Sequence, residues 1–354
     1  MAECLAVRGA APSLPLLDRV FRDLARAGYS RLGGRKGAVA RTIRERMELG
    51  IEPHSSFLFV FPGATEGVSS TGDRCALNCS HCGGHYLRGM TPAAELRDRL
   101  TRGEEVGGSW LISGGCDCSG RVPPPAETLL ARLSERGRLN FHVGLAGEKQ
   151  IRAAARFADS VSFDLIGSDR TVARVMGLDA RAEDYFDAYR ECRRRMPPGV
   201  PVVAHLVAGL DGGEIIGEYR VLDFLAEQEP EAVVLLVLRP TPGTAFAGVQ
   251  PPPLEEVCDL MLHARSSLPR ARLALGCMRP SGRYRLALDL LAVACDFDVL
   301  VQPTRPARSR AAQVAGERGI RWGDECCALY AGPTAAAGAG QFADLSAFRQ
   351  REER

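Results

Sequence analysis

The chain has 354 residues, 45% of them apolar and 25% charged, the proportions of an ordinary globular protein with enough length to bury a large core. Its 45 Lys and Arg against 43 Asp and Glu leave a formal charge of +2, so no strong field selects nucleic acid or an anionic membrane surface. Arg8, Pro12 and Pro15 break the first apolar stretch, against a signal peptide. No run approaches about 18 apolar residues, against a membrane span, and the chain reads as soluble and cytosolic.

Residues 14–50 carry apolar positions at helical spacing in two stretches, SLPLLDRVFRDLARAG closing on Gly28 and GRKGAVARTIRERMELG closing on Gly50. From Ser56 onward the rhythm changes. Eight short apolar runs follow: SFLFVF (56–61), SWLIS (109–113), LNFHVGL (139–145), SVSFDL (160–165), VPVVAHLVAGL (200–210), EAVVLLVLR (231–239), RLALGC (272–277) and FDVLVQP (297–303). Amphipathic stretches such as AAELRDRLTRG, EYRVLDFLAEQ and LEEVCDLMLHARSSL lie between them. Strands that are apolar throughout and alternate with helices predict a parallel sheet, and eight units are enough for a full or partial TIM-like β/α barrel. The expected organisation is a helical lead-in over 1–54, the barrel over 55–305, and a C-terminal extension over 306–354. The low-complexity stretch AGPTAAAGAG (331–340) reads as a flexible link to a short tail.

Twelve cysteines in a chain with no secretion signal point to metal ligands, reactive thiols or small buried residues rather than disulfides. Cys75, Cys79 and Cys82 form a tight C-x3-C-x2-C group in the loop after the first run. Three thiolates on one loop suit one iron–sulfur cubane with a corner left open, just as catalytic zinc sites keep a vacant position. A structural zinc site is the plainer reading, although zinc usually recruits a second close pair.

The x3–x2 spacing, after the first strand of a strand–helix barrel, resembles the signature of the radical S-adenosylmethionine (SAM) superfamily. The resemblance implies a [4Fe–4S] cluster on Cys75, Cys79 and Cys82, SAM chelated to the open iron, and a 5′-deoxyadenosyl radical that abstracts hydrogen from a substrate. His81 stands where family members often carry an aromatic residue. Gly114-Gly115 falls where the family has a Gly-Gly-Glu segment whose backbone meets the SAM amino group. Cys116 takes the place of the glutamate, with Asp117 beside it. Asp164, after the fourth run, points toward the barrel mouth and is a candidate for a ribose hydroxyl or a substrate group. Glu214 and Glu218, in LDGGEIIGEYR, match a glycine-rich turn with an acidic residue near SAM, unless Glu218 merely starts the next helix. Arg239 and Thr241, in RPTPGT, resemble the adenine-facing turn of biotin synthase relatives. His205 lies inside an apolar strand, where a satisfied core histidine is the simpler reading and a ligand the other.

Cys116 and Cys118, Cys277, and Cys326 and Cys327 all fall near the expected barrel mouth and are candidates for an auxiliary cluster. Cys4, Cys192, Cys258 and Cys295 read as packing residues. The SGGCD, GCMRP, ECC and RPTPGT segments resemble the biotin synthase-related branch that includes archaeal-type two-component lipoyl synthases. That branch implies sulfur insertion into an octanoyl-type chain on a lipoyl-carrier protein, a second radical SAM subunit, and reduced ferredoxin or flavodoxin as electron donor. A single-cluster enzyme for carbon-skeleton rearrangement or cofactor maturation is the alternative, and a non-enzymatic iron–sulfur or electron-transfer protein is a third.

Overall fold

A computed structural model describes residues 13–104, 106–316 and 319–331. The expected tail, most of the 331–340 link and Cys4 lie outside them. Helices α1 (Ser13–Arg26) and α2 (Lys36–Glu48) lead in, followed by strands β1 (Phe57–Val60), β2 (Thr65–Ser69) and β3 (Thr91–Pro92). Then come α3 (Ala93–Thr101), β4 (Ser109–Ser113), α4 (Glu127–Ser134), β5 (Arg138–His142), α5 (Glu148–Phe157), β6 (Ser160–Asp164) and the short α6 (Asp169–Thr171). The chain continues through α7 (Ala182–Arg195), β7 (Val202–Ala208), α8 (Glu218–Gln228), β8 (Ala232–Val237), α9 (Leu254–Ser267), β9 (Arg272–Leu275), α10 (Gly282–Ala294), β10 (Val299–Val301), α11 (Arg305–Ala315) and β11 (Ile320–Gly323).

All eight apolar runs are strands, and every pairing in the sheet is parallel. The order is β11-β1-β10-β9-β8-β7-β6-β5-β4-β2-β3, so the sheet curls into a partial barrel rather than closing. Three of the strands, β2, β3 and β11, were not among the expected eight. One of them corrects the reading of the cysteine loop, which follows β2 rather than Phe57–Val60. β1 and β2 are neighbours in sequence but lie toward opposite ends of the sheet.

Side-chain alternation explains why the strands read as continuously apolar. In β7, Val202, Ala204 and Leu206 face the core shared with the helices, whereas Val203 and Val207 face the lumen. The lumen cluster joins Leu58 and Val60 of β1, Val234 and Leu236 of β8, Ala274 of β9 and Val299 and Val301 of β10. It is completed by Ala328 and Tyr330 of a 3₁₀ turn, Cys327–Tyr330. The C-terminal extension therefore enters the barrel as a plug. Arg138 ion-pairs with Glu325 and donates to the Leu329 carbonyl (3.0 Å), and Arg272 donates to the Tyr330 carbonyl.

The same segment bridges the seam between β1 and β2. Phe61 N–H donates to Gly323 O (2.7 Å), Ala64 N–H to Asp324 O (2.8 Å) and Cys326 N–H to Thr65 Oγ1 (2.7 Å). The lead-in helices pack on the outside, α1 against α10 and α11, α2 against α9. A buried set of charges locks them there: Arg46 pairs with Asp296, Arg265 pairs with Asp298 at 2.7 Å, and His54 N–H donates to Asp296 Oδ1 at 2.7 Å.

Candidate functional site

The cysteine loop leaves the C-terminal end of β2 and is pinned along its length. Ser70 N–H donates to Ser113 O (2.8 Å), Ala76 N–H to Cys116 O (2.8 Å) and Ser80 N–H to Val175 O (2.8 Å). Ser80 O in turn accepts from Phe246 N–H (3.1 Å). Asn78 takes a left-handed conformation (φ 48°), one that asparagine tolerates better than most residues, and this turns the chain between Cys75 and Cys79. The loop thus docks on segments following β4, β6 and β8.

One ligand atom each from Cys79, His81 and Cys82 lie within 4.8 Å of one another. Cys79 is buried and Cys75 and Cys82 are half-buried. A hydrogen bond from Cys79, then one from His81, holds the Cys82 thiol well below its ordinary range, while the same pair pushes Cys79 up. Cys116 joins this group from the end of β4: burial pushes its thiol up to about 12, and the charges of Cys75, Asp164 and Cys82 add to that.

The glycines before Cys116 are required by the loop itself. A Cβ on Gly115 would overlap the Arg74 carbonyl and crowd the Cys75 Cα, and one on Gly114 would meet the Ser70 hydroxyl. Gly115 N–H donates to Thr71 Oγ1 at 2.7 Å. Thr241 is buried and hydrogen-bonds Tyr86 of the cysteine loop (2.8 Å), so the RPTPGT turn abuts the loop; Arg239 is exposed. Asp164 opens into the barrel mouth, 3.8 Å from His142 Nδ1. Glu214 is exposed and pairs with Arg170 (3.1 Å) rather than facing the thiols. Glu218 begins α8 yet turns back. Its carboxylate accepts from Gly209 N–H (2.7 Å), Ile216 N–H (2.7 Å) and Gly217 N–H (2.9 Å), holding the LDGGE loop closed.

The five auxiliary candidates divide. Cys116 lies with the first group, and Cys118 is exposed in a turn capped by Asp117. Cys277 is exposed just after β9, and charge on Cys326 acts on its thiol. Cys326 and Cys327 hydrogen-bond each other on the plug, so their side chains converge. That bond and Asn140 Nδ2 (3.4 Å) draw the Cys326 thiol down to about 7. Cys192, Cys258 and Cys295 are buried. His205 is buried with Nδ1 on the Val203 carbonyl (3.1 Å), and no hydrogen bond joins its Nε2 to another described residue.

Several residues of the site escaped the sequence reading. Asp211 is 1% exposed and anchors Thr171 Oγ1 (3.1 Å), Arg174 (3.0 Å) and Arg170 (3.3 Å), which fixes the segment that carries Val175. Asn140 and His142 line the lumen from β5. Their signal was a polar residue at every second position of an otherwise apolar run.

No protein-family model matches this chain, and no curated protein does. Among solved structures, methylornithine synthase (PylB) superposes with a TM-score of 0.53 at 13% identity, over 95% of this chain and 99% of that one. HydG, a maturase of the [FeFe]-hydrogenase, gives 0.56 at 13% identity over 93% and 80%. HydG from Carboxydothermus hydrogenoformans gives 0.53 at 12% identity over 90% and 84%. The partial barrel is the fold of these enzymes. At such identities the likeness concerns the fold, and the chemistry rests on this chain's own residues.

Proposed function

We propose that the chain is a radical SAM enzyme. The observation that carries this is the Cys79 and Cys82 thiols within 4.8 Å of each other, with Cys75 near enough to act on Cys79 through its charge, on one pinned loop at the C-terminal mouth of a partial parallel barrel. The donor set suits the group: three soft sulfurs beside His81, whose buried Nδ1 has no hydrogen-bond partner among the described residues. A [4Fe–4S] cluster on these thiolates, with SAM on its open iron, supplies the electron that yields a 5′-deoxyadenosyl radical. The chain's part is to hold the loop rigid through Ser80, Ala76 and Gly115 and to offer SAM the rim formed by Gly114, Gly115, Arg239 and Thr241. The test is anaerobic reconstitution followed by SAM and dithionite. Stoichiometric zinc, or no 5′-deoxyadenosine, overturns the reading. It would then favour a zinc ion on Cys79, His81 and Cys82 or a plain iron–sulfur carrier.

The outcome of the radical step is a finer proposal. The Cys326–Cys327 contact on the plug, with Cys277 near enough for charge to act between it and both thiols, supports a second iron–sulfur site as a sulfur donor. In its lipoyl synthase-like form this means sulfur insertion into an octanoyl chain on a lipoyl-carrier protein, with a second radical SAM subunit and reduced ferredoxin or flavodoxin as partners. About eight irons per chain, falling to about four in a Cys326→Ser/Cys327→Ser double variant, is the expected result for two cubane clusters. About four irons in the unaltered protein favours the single-cluster alternative, a carbon-skeleton rearrangement or cofactor-maturation enzyme.

A further inference from the structure

The two halves of the lumen wall differ in chemistry. The β8, β9, β10 and β1 half is aliphatic and is covered by the plug. The other half is polar. Val203 and Val207 face inward, so His205 between them does as well, and from β5 the inward set is Arg138, Asn140 and His142. β6 contributes Ser160 and Ser162, whose hydroxyls both donate to Asn140 Oδ1 (3.1 Å each), and then Asp164. This wall runs from the Cys326 thiol, which Asn140 touches, up to Asp164, whose charge acts on Cys116 beside the cysteine loop.

Most of the wall is internally satisfied, and what is left over has one sign. Arg138 is spent on Glu325 and Leu329 O, Arg272 on Tyr330 O, and Arg279 is fully buried against Asp289 (2.9 Å). Asp164 has no Arg or Lys within 4.0 Å among the described residues; its one ion-pair neighbour is His142. A carbonyl can only accept, so the Val203 carbonyl fixes the proton of His205 on Nδ1 and leaves Nε2 a bare acceptor. Burial, then the neighbouring His142 ring 5.2 Å away, keeps His205 neutral, with a pKa of about 4. Two acceptors, one of them anionic, therefore face a half-lumen that offers no free cation of its own among these residues.

We infer that this wall binds the substrate's positively charged nitrogen, with Asp164 and His205 Nε2 as its acceptors, and that the substrate is a small amine. An ammonium has three donors and no acceptor, which matches a carboxylate and a lone-pair imidazole. An octanoyl chain brings no donor to this surface and leaves both acceptors desolvated and unpaired. The inference rests on the radical SAM reading, narrows its substrate class and displaces the octanoyl chain as the substrate.

The experiment uses reconstituted, reduced full-length protein with SAM and one of three perdeuterated probes: n-octylamine, 1,5-diaminopentane or octanoate. The readout is deuterium per 5′-deoxyadenosine formed, a ratio that is insensitive to how much active protein each sample holds. At least one amine is expected to exceed octanoate by about tenfold, the worth of one charge-assisted hydrogen bond. His205→Phe should lose that excess and His205→Gln, which keeps an acceptor, should retain most of it; a general packing defect would lower yield without changing the ratio. Deuterium from octanoate equal to or above that from both amines overturns the inference, as does 5′-deoxyadenosine that stays unlabelled with every probe. If no sample forms 5′-deoxyadenosine, it is the radical SAM reading that has failed.

Discussion

Asn140 Nδ2 lies 3.4 Å from the Cys326 sulfur, which ties the final described turn of the chain to the middle of β5 inside the barrel. Tyr330 completes that attachment. Its ring packs among the lumen aliphatics, its hydroxyl accepts from Asp324 N–H (3.0 Å) and Glu325 N–H (3.2 Å), and 6% of it is exposed. Tyr330→Ala is expected to cost roughly 3–5 kcal/mol, in the range for truncating a buried aromatic, and Tyr330→Phe about 1 kcal/mol for the lost hydrogen bonds. Denaturant midpoints measure both. A Tyr330→Ala protein as stable as the parent would mean the plug does not seal the lumen.

The cysteine loop can be dissected by substitution. Alanine at Cys75, Cys79 or Cys82 should remove about four irons per chain and abolish 5′-deoxyadenosine formation while far-ultraviolet circular dichroism stays unchanged. His81→Ala should retain iron, because a cubane uses Cys75 whereas a single ion on the Cys79–His81–Cys82 group would not. Cys116→Ala should leave the iron count unaltered. Loss of iron in that variant would mean that the fourth corner is closed by Cys116 and that SAM has no place to bind.

Gly115→Ala tests how closely β4 supports that loop. The new Cβ overlaps the Arg74 carbonyl, which is backbone and has no rotamer to escape into, so the Cys75 segment must shift. An overpacking cost of about 1–3 kcal/mol is expected, with faster loss of iron to a chelator. Asp211→Ala should act on the other side of the loop, freeing Arg170, Arg174 and Thr171. Because both arginines can turn to water, the cost should be about 1–2 kcal/mol, smaller than for an ion pair buried at both ends. Chelator-dependent iron release, followed by absorbance, checks both variants.

His54 gives a pH dependence with a definite sign. Its Nε2 donates to Val293 O (2.9 Å), and burial lowers its pKa from 6.5 to about 4. Between those values the unfolded chain binds the proton that the folded chain refuses, so stability rises with pH. The contribution is complete above about pH 6.5 and declines as pH falls toward 4, amounting to roughly 3 kcal/mol by the linkage relation. His54→Gln should flatten the stability curve in that window by about one proton. A parent protein whose unfolding free energy is constant between pH 6.5 and 4.5 would refute the assignment.

The strands that were legible in the sequence are those with apolar residues on both faces. β2 was missed because Thr65, Gly67 and Ser69 turn toward the polar half of the lumen, and Glu66 faces outward to Arg99 (2.6 Å), so only Val68 carries a hydrophobic signal. β3 is two residues long and leaves no periodic trace. The cysteine triad was readable because its spacing is local. The partition of Cys116, Cys277, Cys326 and Cys327 was not, because it depends on how the extension enters the barrel, and nothing local encodes that. Asp211 was passed over in favour of Glu214 in the same turn. Burial separates the two carboxylates, and burial is a tertiary property.

Ala64 and Thr65 stand where β2 begins, the strand that leads into the cysteine loop, yet they hydrogen-bond Asp324 and Cys326, more than 250 positions downstream. A chain cut before residue 324 loses both ties, and the wall beside its cysteines is left unzipped.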